Sequence, residues 1–395
     1  MKRVLILAEI FFPEKYPIND LYFDWENKGY NVDVFTRNPS YPNDEIFEGY
    51  SKSVFNIEKR KTGNIYRSLV FTGYKKSKVI KILNYLNYNV SLFIFLLRYG
   101  RKYDEIFFYQ TGPLTNVFAA SILKFLFRYK IVIWIQDLWP QTLYAYGVGT
   151  GKITKILVNT LVTFIYKRSD RFVVSSEGFG PYLKTYGKPV EWIPNWLTSF
   201  GDKDEEEKEL DGKFNFTFAG NIGKAQKMLS VVKGFKNIGE EHDAYLNIIG
   251  DGSMAKDVRS IVEEENIKNV RFYGFLPINI TSGYLKKSDV LIMPLESEEA
   301  FIEVIPGKFQ SYLNNAKPIF AITNGVTSRY VLEYSLGYTA DPNDIKEIEG
   351  GFLKFIKCSN NSIEAFCNNC TSFNDAMFRK DLLLTRFDKL IFQEE

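Results

Sequence analysis

This 395-residue chain contains little histidine and little cysteine. His242 is the only histidine, and it lies in the polar stretch Glu-Glu-His-Asp. A metal site built from several histidines is therefore excluded, and a Ser–His–acid triad would depend on this one residue. Cys367 and Cys370 have the spacing of a metal knuckle or a redox pair, but only Cys358 lies near them, and a structural zinc takes four ligands. We expect free thiols, as in a reducing compartment.

Long apolar runs are also missing. The run Val4–Ala8 is too short for a signal peptide and no small-residue cleavage site follows it, so we predict a buried first strand there. The segment that comes closest to a membrane span, residues 82–97, contains three Asn and one Ser. A spanning helix needs about 20 predominantly apolar residues. The sequence therefore predicts no transmembrane helix.

Acidic residues are absent from one long stretch, residues 59–103. Eleven basic residues lie there among several Tyr and Phe: Lys59, Arg60, Lys61, Arg67, Lys75, Lys76, Lys78, Lys81, Arg98, Arg101 and Lys102. This mixture suits an anionic membrane surface or an anionic acceptor, although a solvated basic helix is the alternative. Nucleic acid attracts the same charge, but no reader motif accompanies it. We therefore expect peripheral binding to anionic membranes and no nucleic-acid partner.

Apolar segments of strand length alternate with amphipathic segments in both halves of the chain. This rhythm predicts an α/β protein with two parallel sheets covered by helices. We predict an N-terminal domain over residues 1–200, a C-terminal domain over 201–372 and a final helical segment over 373–395, with the helix itself from 375 to 392. The charged stretch 202–211 marks the boundary. The predicted strands are Val4–Ala8, Val32–Thr36, Ile106–Tyr109, Ile131–Ile135, Phe172–Val174, Phe214–Phe218, Ala244–Ile249, Val270–Tyr273, Val290–Met293 and Pro318–Ile322.

Two segments of the second half have features of anion sites. Gly220 and Gly223 follow a predicted strand and precede a predicted helix, with Lys224 and Lys227 beside them. Glycines allow a ligand to approach the backbone, and the free amides of a helix start favour phosphate. A simple pair of turn glycines is the alternative, because neither Gly-x-Gly-x-x-Gly nor a Walker sequence is present. Lys308 begins the next predicted helix. Two anion sites in one domain suit a diphosphate.

A carboxylate follows a predicted buried strand of the first half. Asp137 comes directly after Ile131–Ile135 and Gln136. Ligands of open parallel sheets bind at the carboxyl ends of the strands. Asp137 could therefore accept a proton or bind a sugar hydroxyl in the cleft between the domains. An N-cap on the following helix is an equally good interpretation.

Short motifs in order along nearly the whole chain resemble those of the retaining glycosyltransferases of family 4, and the most similar branch assembles bacterial surface polysaccharides. The motifs are Phe11–Glu14, Asn38–Pro42, Gly112-Pro113, Gln136–Pro140, Ala219–Gly223, Ile249–Gly252, Asn269–Gly274, Ser288–Leu295 and Pro306–Lys308 with Lys317-Pro318. The resemblance implies the GT-B fold, in which two Rossmann-like domains face each other across a cleft, with a C-terminal helix that can pack back on the first domain.

The resemblance also implies which residues bind the substrates. The donor, a nucleotide-diphosphate sugar with UDP-sugar favoured, would bind at Gly220, Asn221, Gly223, Lys224, Lys227, Gly274, Phe275, Lys308 and Ser311. The acceptor would bind at Glu14, Thr111, Gly112 and Trp139. Glu303 falls on the first acid of the family's Glu-x7-Glu motif and is predicted to be catalytic, together with Asp137. Ser311 occupies the position of the second acid, which usually holds the ribose.

The implied activity is the transfer of a sugar, an N-acetylated aminosugar being one candidate, to a polyprenyl-diphosphate-linked saccharide. This step belongs to polysaccharide or O-antigen biosynthesis at the cytoplasmic face of the bacterial plasma membrane, and it needs no metal and no cofactor. The main alternative is a non-catalytic nucleotide-sugar-binding scaffold of the same fold, for which Ser311 argues. A 2-epimerase would need more acid–base groups than one His supplies. A nicotinamide-dependent dehydrogenase would need the missing Gly-x-Gly-x-x-Gly.

Overall fold

A computed structural model describes residues 2–50, 53, 55–145, 147, 151–198, 209–298 and 302–393. The chain divides into two compact units. The first comprises Met1–Pro194 with Asp381–Glu395, and the second comprises Asn195–Lys380. The predicted boundary between residues 200 and 201 lies outside the described residues. The second part of the first unit begins at Asp381. This is eight residues after residue 373, where the sequence analysis placed the start of the C-terminal segment.

The first unit is built on one sheet of eight strands. These are β1 (Arg3–Ala8), β2 (Asn31–Arg37), β3 (Phe55–Lys59), β4 (Asn64–Ser68), β5 (Glu105–Gln110), β6 (Lys130–Ile135), β7 (Arg171–Val174) and β8 (Val190–Trp192). Their order in the sheet is β3-β4-β2-β1-β5-β6-β7-β8, and all neighbours are parallel except the antiparallel pair β3 and β4. The order reverses direction between β1 and β5, which makes the carboxyl ends of these two strands the expected ligand edge.

The helices of the first unit connect these parallel strands. They are α1 (Pro17–Asn27), α2 (Lys78–Tyr99), α3 (Phe118–Phe127), α4 (Gln141–Ala145), α5 (Lys152–Arg168) and α6 (Gly180–Lys184). Short 3-10 turns lie at Gly100–Lys102, Leu114–Val117 and Glu177–Phe179. Because both faces of a parallel sheet are covered by helices, the central strands are continuous apolar runs, and Val4–Ala8 is fully buried.

Helix α2 extends beyond residues 82–97, the segment that the sequence analysis compared with a membrane span. Its three Asn and one Ser do not interrupt it, and with the following 3-10 turn it spans Lys78–Lys102. Among the described residues, this helix has the length and the apolar composition that are needed to cross a membrane. By the criterion of length and composition, the prediction that the chain contains no such helix is therefore wrong. In the fold, however, α2 connects β4 to β5, and the ring of Phe95 packs 5.2 Å from that of Phe35 and 4.7 Å from that of Tyr66.

The second unit is built on one sheet of six parallel strands. These are β9 (Phe214–Ala219), β10 (Ala244–Ile249), β11 (Val270–Gly274), β12 (Val290–Pro294), β13 (Ile319–Ile322) and β14 (Gly337–Ala340). Their order is β11-β10-β9-β12-β13-β14, so the direction reverses between β9 and β12. Phenylalanines fill much of the core, where the rings of Phe216, Phe320 and Phe352 meet edge to face.

The helices that cover the second sheet follow the predicted alternation. They are α7 (Met228–Phe235), α8 (Ile238–His242), α9 (Ala255–Glu264), α10 (Ile278–Lys287), α11 (Gly307–Asn314), α12 (Val326–Glu333), α13 (Ile345–Ile356) and α14 (Asn360–Met377), with a 3-10 turn at Lys224–Gln226. The helical periodicity between the predicted strands predicts helices over residues 254–265 and 308–314, and α9 and α11 lie within one residue of these bounds at each end.

The C-terminal segment packs on the first unit. Helix α15 (Lys380–Asp388) is followed by a π-helical turn, Lys389–Gln393. Asp388 accepts a hydrogen bond from Trp25 Nε1 at 2.9 Å and pairs with Lys28 Nζ at 2.5 Å. The predicted single helix over residues 375–392 is thus wrong, since α14 ends at Met377. Directly after the end of α14, the ring of Phe378 packs against the ring of Phe373, with 5.7 Å between the ring centroids.

Candidate functional site

The second unit contains a cavity of about 670 Å³ above the carboxyl ends of its strands. Its walls come from the loops after β9, β10 and β11 and from helices α10 and α11. The lining residues that matter for recognition are Gly220, Asn221, Gly250, Asp251, Phe275, Leu276, Ile278, Asn279, Thr281, Ser282, Lys308, Ser311 and Tyr312. The cavity lies beside the point where the strand order reverses, which is where open α/β sheets bind ligands.

Two glycines bring the loops after β9 and β10 into backbone contact. Gly220 donates its amide to Ile249 O at 2.9 Å, and its φ is +146°. Gly250 has a φ of +135°, and a Cβ built there would lie 1.8 Å from the carbonyl oxygen of Gly220. No side chain fits between the two loops, so the cavity floor at this point is bare backbone. A ligand can therefore approach the main chain closely.

Lys308 is the most unusual charged group in the cavity wall. Its ammonium group is buried, has no hydrogen-bond partner among the described residues and lies 4.1 Å from the centroid of the Phe218 ring. A Cβ built on Gly220 would lie 3.2 Å from Lys308 Nζ, so the ammonium points at the bare backbone. Burial lowers the pKa of Lys308 to about 7. An anion placed here would supply the missing partner.

Helix α11 is fixed so that Lys308 keeps this position. One turn after Lys308, the buried Tyr312 hydroxyl donates to Ile292 O at 3.1 Å and accepts the amide of Ala219 at 3.0 Å. These bonds tie the helix to β12 and to the end of β9. The helix N-terminus, with its free amides, therefore lies beside the cavity together with the Lys308 side chain.

The opposite wall mixes apolar surface with small polar side chains. Phe275 is 83% exposed and lines the cavity with Leu276 and Ile278. Asn279, Thr281 and Ser282 of helix α10 were missed by the sequence analysis. These residues lie at the start of the helix that follows β11. Gly220 was predicted from the same kind of position, between a strand and the next helix, so this feature could have indicated them. This wall can cover a flat ring and offer hydrogen bonds to its edge.

The structure brings together some of the predicted donor residues and separates others. Gly220, Asn221, Phe275, Lys308 and Ser311 all line the cavity. Gly274 is the last residue of β11, just before Phe275, and its carbonyl accepts the amide of Gly250 at 2.7 Å.

Four other predicted residues are outside the cavity lining as far as the structure describes it. Gly223 caps the 3-10 turn that contains Lys224, and its amide binds Gln226 Oε1 at 3.0 Å. Lys227 pairs with Glu296 at 3.1 Å, so its charge is already neutralised. Glu303 lies in the turn before α11.

The first unit contains a second cavity, of about 530 Å³, again at the ligand edge of its sheet. Thr111 and Gly112 after β5 line it, as predicted for the acceptor site, together with Glu9 after β1 and Arg37 at the end of β2. Ile10 after β1 and Tyr41 after β2 also line it. The remaining lining residues come from the loop before α2 and from its first two turns: Tyr74, Lys75, Lys76, Lys78, Lys81, Asn84 and Tyr85. The cavity is therefore rich in cations.

Two buried carboxylates organise this edge. Glu9 accepts from Asn116 Nδ2 at 2.8 Å, and its other oxygen lies 3.6 Å from Arg37 Nε. Glu14, predicted to bind the acceptor, accepts the backbone amides of Ser40 at 3.0 Å and Tyr41 at 2.7 Å. Burial raises the pKa of Glu14 in spite of these bonds. In this structure Glu14 supports the loop after β2.

Asp137 and Trp139 follow β6 and do not line this cavity as far as the chain is described. Burial raises the pKa of Asp137. Helix α4 begins at Gln141, four residues later, so Asp137 does not occupy its N-cap. That alternative is therefore excluded, and the proton-accepting role stays a prediction. No cluster of three or more His, Cys, Asp or Glu side chains that could hold a metal occurs among the described residues.

Comparisons with known proteins agree with this geometry. Residues 200–371 match the family model described as Glycosyl transferases group 1. The probable glycosyltransferase WbjE of Pseudomonas aeruginosa is 27% identical over 248 residues, which are 59% of this chain and 62% of WbjE. This chain thus spans less than two thirds of that relative.

Two solved structures are similar over the whole chain. Sucrose-phosphate synthase from Thermosynechococcus elongatus has a TM-score of 0.70 at 14% identity, with 100% of this chain and 99% of that chain covered. Anabaena HepE in complex with UDP and glucose has a TM-score of 0.65 at 11% identity, with both chains covered completely. At sequence identities this low, the similarity of the structures shows that the fold is shared and nothing further. Residues 200–371 are therefore similar to the glycosyl transferases group 1, and the whole chain has the fold of these structures, with two parallel-sheet α/β units of the GT-B type.

Proposed function

We propose that this protein is a retaining glycosyltransferase. Its donor is a nucleoside-diphosphate sugar bound in the cavity of the second unit, and its acceptor is a saccharide carried on a polyprenyl diphosphate. The family match over residues 200–371 supports the reaction class. The observation that carries the proposal is Lys308, because a buried ammonium without a partner is costly unless an anion binds beside it.

The chemistry of the donor half-reaction fits the cavity wall. When the bond between the sugar and the diphosphate breaks, negative charge develops on the departing nucleoside diphosphate. Lys308, the backbone around Gly220 and the start of α11 are arranged to stabilise that charge. The ammonium group is already desolvated, so little reorganisation is needed during the reaction.

We propose UDP as the nucleotide. HepE, a protein of the same fold, is seen in complex with UDP and glucose. In this chain Phe275 and Ile278 offer apolar surface for a base, and Asn279 offers amide groups to its edge. The sugar is proposed to be a hexose or an N-acetylated aminosugar, as in bacterial polysaccharide or O-antigen assembly.

Retention is proposed to occur by attack from the face that the diphosphate leaves. The acceptor hydroxyl oxygen forms a bond to the anomeric carbon while the carbon–phosphate oxygen bond breaks. The hydroxyl proton passes to the departing phosphate oxygen, so the step balances without an enzymatic nucleophile. Asp137, whose pKa is raised by burial, is proposed to bind the acceptor hydroxyl in this step. In the alternative route, Asp137 accepts the hydroxyl proton and the phosphate leaves unprotonated.

The acceptor side is proposed to work at the cytoplasmic face of the plasma membrane. Helices α2, α3 and α5 of the first unit expose apolar side chains: Val79, Ile82, Leu83, Leu86, Val90, Phe93, Ile94, Leu97, Ile122, Phe125, Leu126, Ile153, Ile156 and Leu157. Lysine and arginine side chains lie at both ends of α2. Apolar surface with a basic margin suits an anionic bilayer.

The membrane proposal is tested with vesicles of phosphatidylglycerol and of phosphatidylcholine. We expect co-sedimentation with the anionic vesicles that weakens as salt is raised, because charge attraction at a surface is screened. Binding that is indifferent to both lipid charge and salt would contradict this part of the proposal.

The donor site is tested by thermal shift with UDP, GDP, dTDP and CMP, each with and without magnesium. A ligand at a hundredfold excess over its dissociation constant stabilises the folded state by about 2.7 kcal/mol. We expect one nucleoside diphosphate to raise Tm in wild type and to have little effect on Lys308→Met. No shift with any nucleotide would refute the donor site.

A second candidate function has one observation in its favour. Ser311 lines the cavity at the position where the family's second acid is expected, so a ribose contact is altered. A non-catalytic scaffold would bind the nucleotide sugar without turning it over. Slow hydrolysis of the donor in the absence of acceptor separates the two, since a scaffold leaves the donor intact.

A further inference from the structure

We propose that Phe218 is a positioning residue for the donor site: the face of its ring holds the ammonium group of Lys308 at the cavity wall, so that the charge is in place when an anionic ligand arrives. The inference rests on the proposed function, because Lys308 is the residue that carries the donor-site proposal. The contact between the two side chains belongs to the protein itself, so it can be tested without any nucleotide.

The ammonium nitrogen of Lys308 lies over an aromatic ring. It is 4.1 Å from the centroid of the Phe218 ring, well inside the roughly 6 Å over which the negative face of a ring attracts a cation. Among the described residues this nitrogen has no hydrogen-bond partner. The ring face is therefore the attractive surface that the buried charge contacts.

Burial makes this contact stronger than a similar contact at the surface. Lys102 lies 4.6 Å from the centroid of the Tyr99 ring, but the Lys102 side chain is exposed, so water competes for its charge. The Lys308 nitrogen is removed from water, and the Phe218 side chain has no exposed surface. The attraction between a cation and a ring is about twofold or more greater under such conditions.

Both partners of the contact are held in place by the fold. Phe218 lies in β9 beside Ile248 of β10 and is part of the apolar core of the second unit. One helical turn after Lys308, the Tyr312 hydroxyl accepts the amide of Ala219, the residue that follows Phe218, at 3.0 Å. This hydrogen bond ties α11 to the end of β9, so it also maintains the distance between the ring and the ammonium group.

The ammonium group also borders the bare backbone of Gly220. A Cβ built there would lie 3.2 Å from Lys308 Nζ and 3.8 Å from Phe218 Cζ. Gly220 and Lys308 line the cavity, whereas Phe218 is buried behind them. The ring therefore holds the charge from the core side and leaves the cavity side to a ligand oxygen.

An aromatic ring suits this task better than a carboxylate would. Lys227 shows the contrast, because it is paired with Glu296 at 3.1 Å and an anion that binds it must compete with that carboxylate. The Phe218 ring has no net charge, so it attracts the ammonium group without neutralising it and without repelling a diphosphate. A ligand can thus bind Lys308 without first breaking an ion pair.

The test changes the charge of the ring face and keeps the shape of the ring. Phe218 is replaced site-specifically by mono-, di- and trifluorinated phenylalanine, and the pKa of Lys308 is measured without ligand by NMR of isotope-labelled lysine. The Lys308 signal is the one that Lys308→Met lacks. Burial lowers the pKa of Lys308 to about 7, and the ring limits that shift. Fluorination should therefore lower this pKa further in steps, by about one unit in all.

The matched control is the same fluorinated series at Phe216. This residue lies two positions earlier in β9, so its side chain is on the same face of the strand. It is equally buried, and its ring packs 4.8 Å from that of Phe352, between centroids. We expect no change in the pKa of Lys308 from this series.

The other charged groups around Lys308 are unchanged in both series. The titratable groups on the elements packed around it are Asp251, Tyr312, Lys224, Lys227, Glu296 and Glu303. Fluorination of one ring neither adds nor removes any of them. A change of pKa that occurs with Phe218 and not with Phe216 therefore comes from the ring face over Lys308.

A second measurement connects the contact to donor binding. Calorimetry with UDP compares Phe218→Leu with the control Phe216→Leu. If the pKa of Lys308 is lowered by about one unit, the dissociation constant of Phe218→Leu should rise about ninefold at pH 8 and should change little at pH 5.5, because Lys308 is mostly charged there in both proteins. A side chain that only fills space would alter the affinity by the same factor at every pH.

The outcomes separate this inference from the proposed function. If the pKa of Lys308 does not respond to fluorination of Phe218, or responds equally to that of Phe216, the inference is wrong, whether or not UDP binds. The same holds if Phe218→Leu loses affinity uniformly with pH. If the pKa responds as expected but no nucleotide binds, the contact is supported and the proposed donor site is the part that fails.

Discussion

The donor affinity of this protein should depend on pH through one residue, Lys308. Burial lowers the pKa of its ammonium group to about 7, and no carboxylate partners it among the described residues. A diphosphate binds the charged form, so binding requires a protonated Lys308. Affinity should therefore be highest at and below pH 7 and should fall as pH rises through the pKa.

The magnitude follows from the protonated fraction. With a pKa of about 7, half of the Lys308 side chains are charged at pH 7 and about 1% at pH 9. If only the charged form binds, the dissociation constant rises about fifty-fold over this interval, which is about 2.3 kcal/mol. At pH 8, binding should also take up nearly one proton for each ligand bound.

The assay is calorimetry with the nucleoside diphosphate found by thermal shift, at pH 7, 8 and 9, in two buffers that differ in ionisation enthalpy. The control is Lys308→Arg, which remains charged over the whole range and leaves every other titrating group in place. We expect a flat profile and no proton uptake for this variant. Equal pH dependence in wild type and Lys308→Arg would refute the reasoning.

The same group contributes to stability with a defined sign. In the unfolded chain Lys308 keeps its ordinary pKa, so between pH 7 and pH 10 the unfolded state binds more protons than the folded state. The free energy of unfolding of the ligand-free protein should rise with pH there, by about 1.4 kcal/mol per pH unit from this residue. Lys308→Met should raise Tm at pH 6 and remove this part of the slope.

Three further changes test other parts of the structure. Gly250→Ala places a Cβ 1.8 Å from a backbone oxygen of the neighbouring loop, so we expect lost nucleotide binding and about 1–3 kcal/mol of destabilisation. The control Gly350→Ala, inside α13 where a Cβ meets open space, should instead stabilise the protein by up to about 1 kcal/mol in the same denaturation measurement. Asp137→Asn should lower kcat for sugar transfer at least about a hundredfold, and full turnover would remove Asp137 from the mechanism. Asp388→Ala breaks the bonds to Trp25 and Lys28 and should lower the free energy of unfolding by about 1–3 kcal/mol, whereas an unchanged urea midpoint would mean that the C-terminal segment adds nothing to the first unit.

The strands at the centre of both sheets could be predicted from the sequence. Strands such as β1, β6 and β12 are buried on both faces, so each is an almost continuous apolar run that can be recognised locally. Four strands were missed. Strand β3 is exposed on alternate residues at the sheet edge, and β4 contains a buried Arg67. Strands β8 and β14 have three and four residues, too few for a pattern.

Local sequence patterns also predict only part of the candidate site. A glycine after a strand and a lysine at a helix start are local features, so Gly220 and Lys308 could be predicted to bind an anion. Lys227 shares that local pattern with Lys308. Only the tertiary structure shows that Lys227 is paired with Glu296 while Lys308 is buried with no hydrogen-bond partner in the described part of the chain.

Burial and charge pairing depend on contacts between residues far apart in the chain, and no local pattern encodes them. Helix α2 is a further example. Its composition suggested a surface for an anionic membrane or acceptor, or a solvated basic helix. The fold turns Tyr88 and Phe95 to the core and leaves apolar side chains such as Ile82, Leu86 and Val90 exposed on the opposite face. Periodicity along the chain therefore indicated the layers of this protein, whereas the packing of distant segments decided which charges are free to bind and which apolar surface remains uncovered.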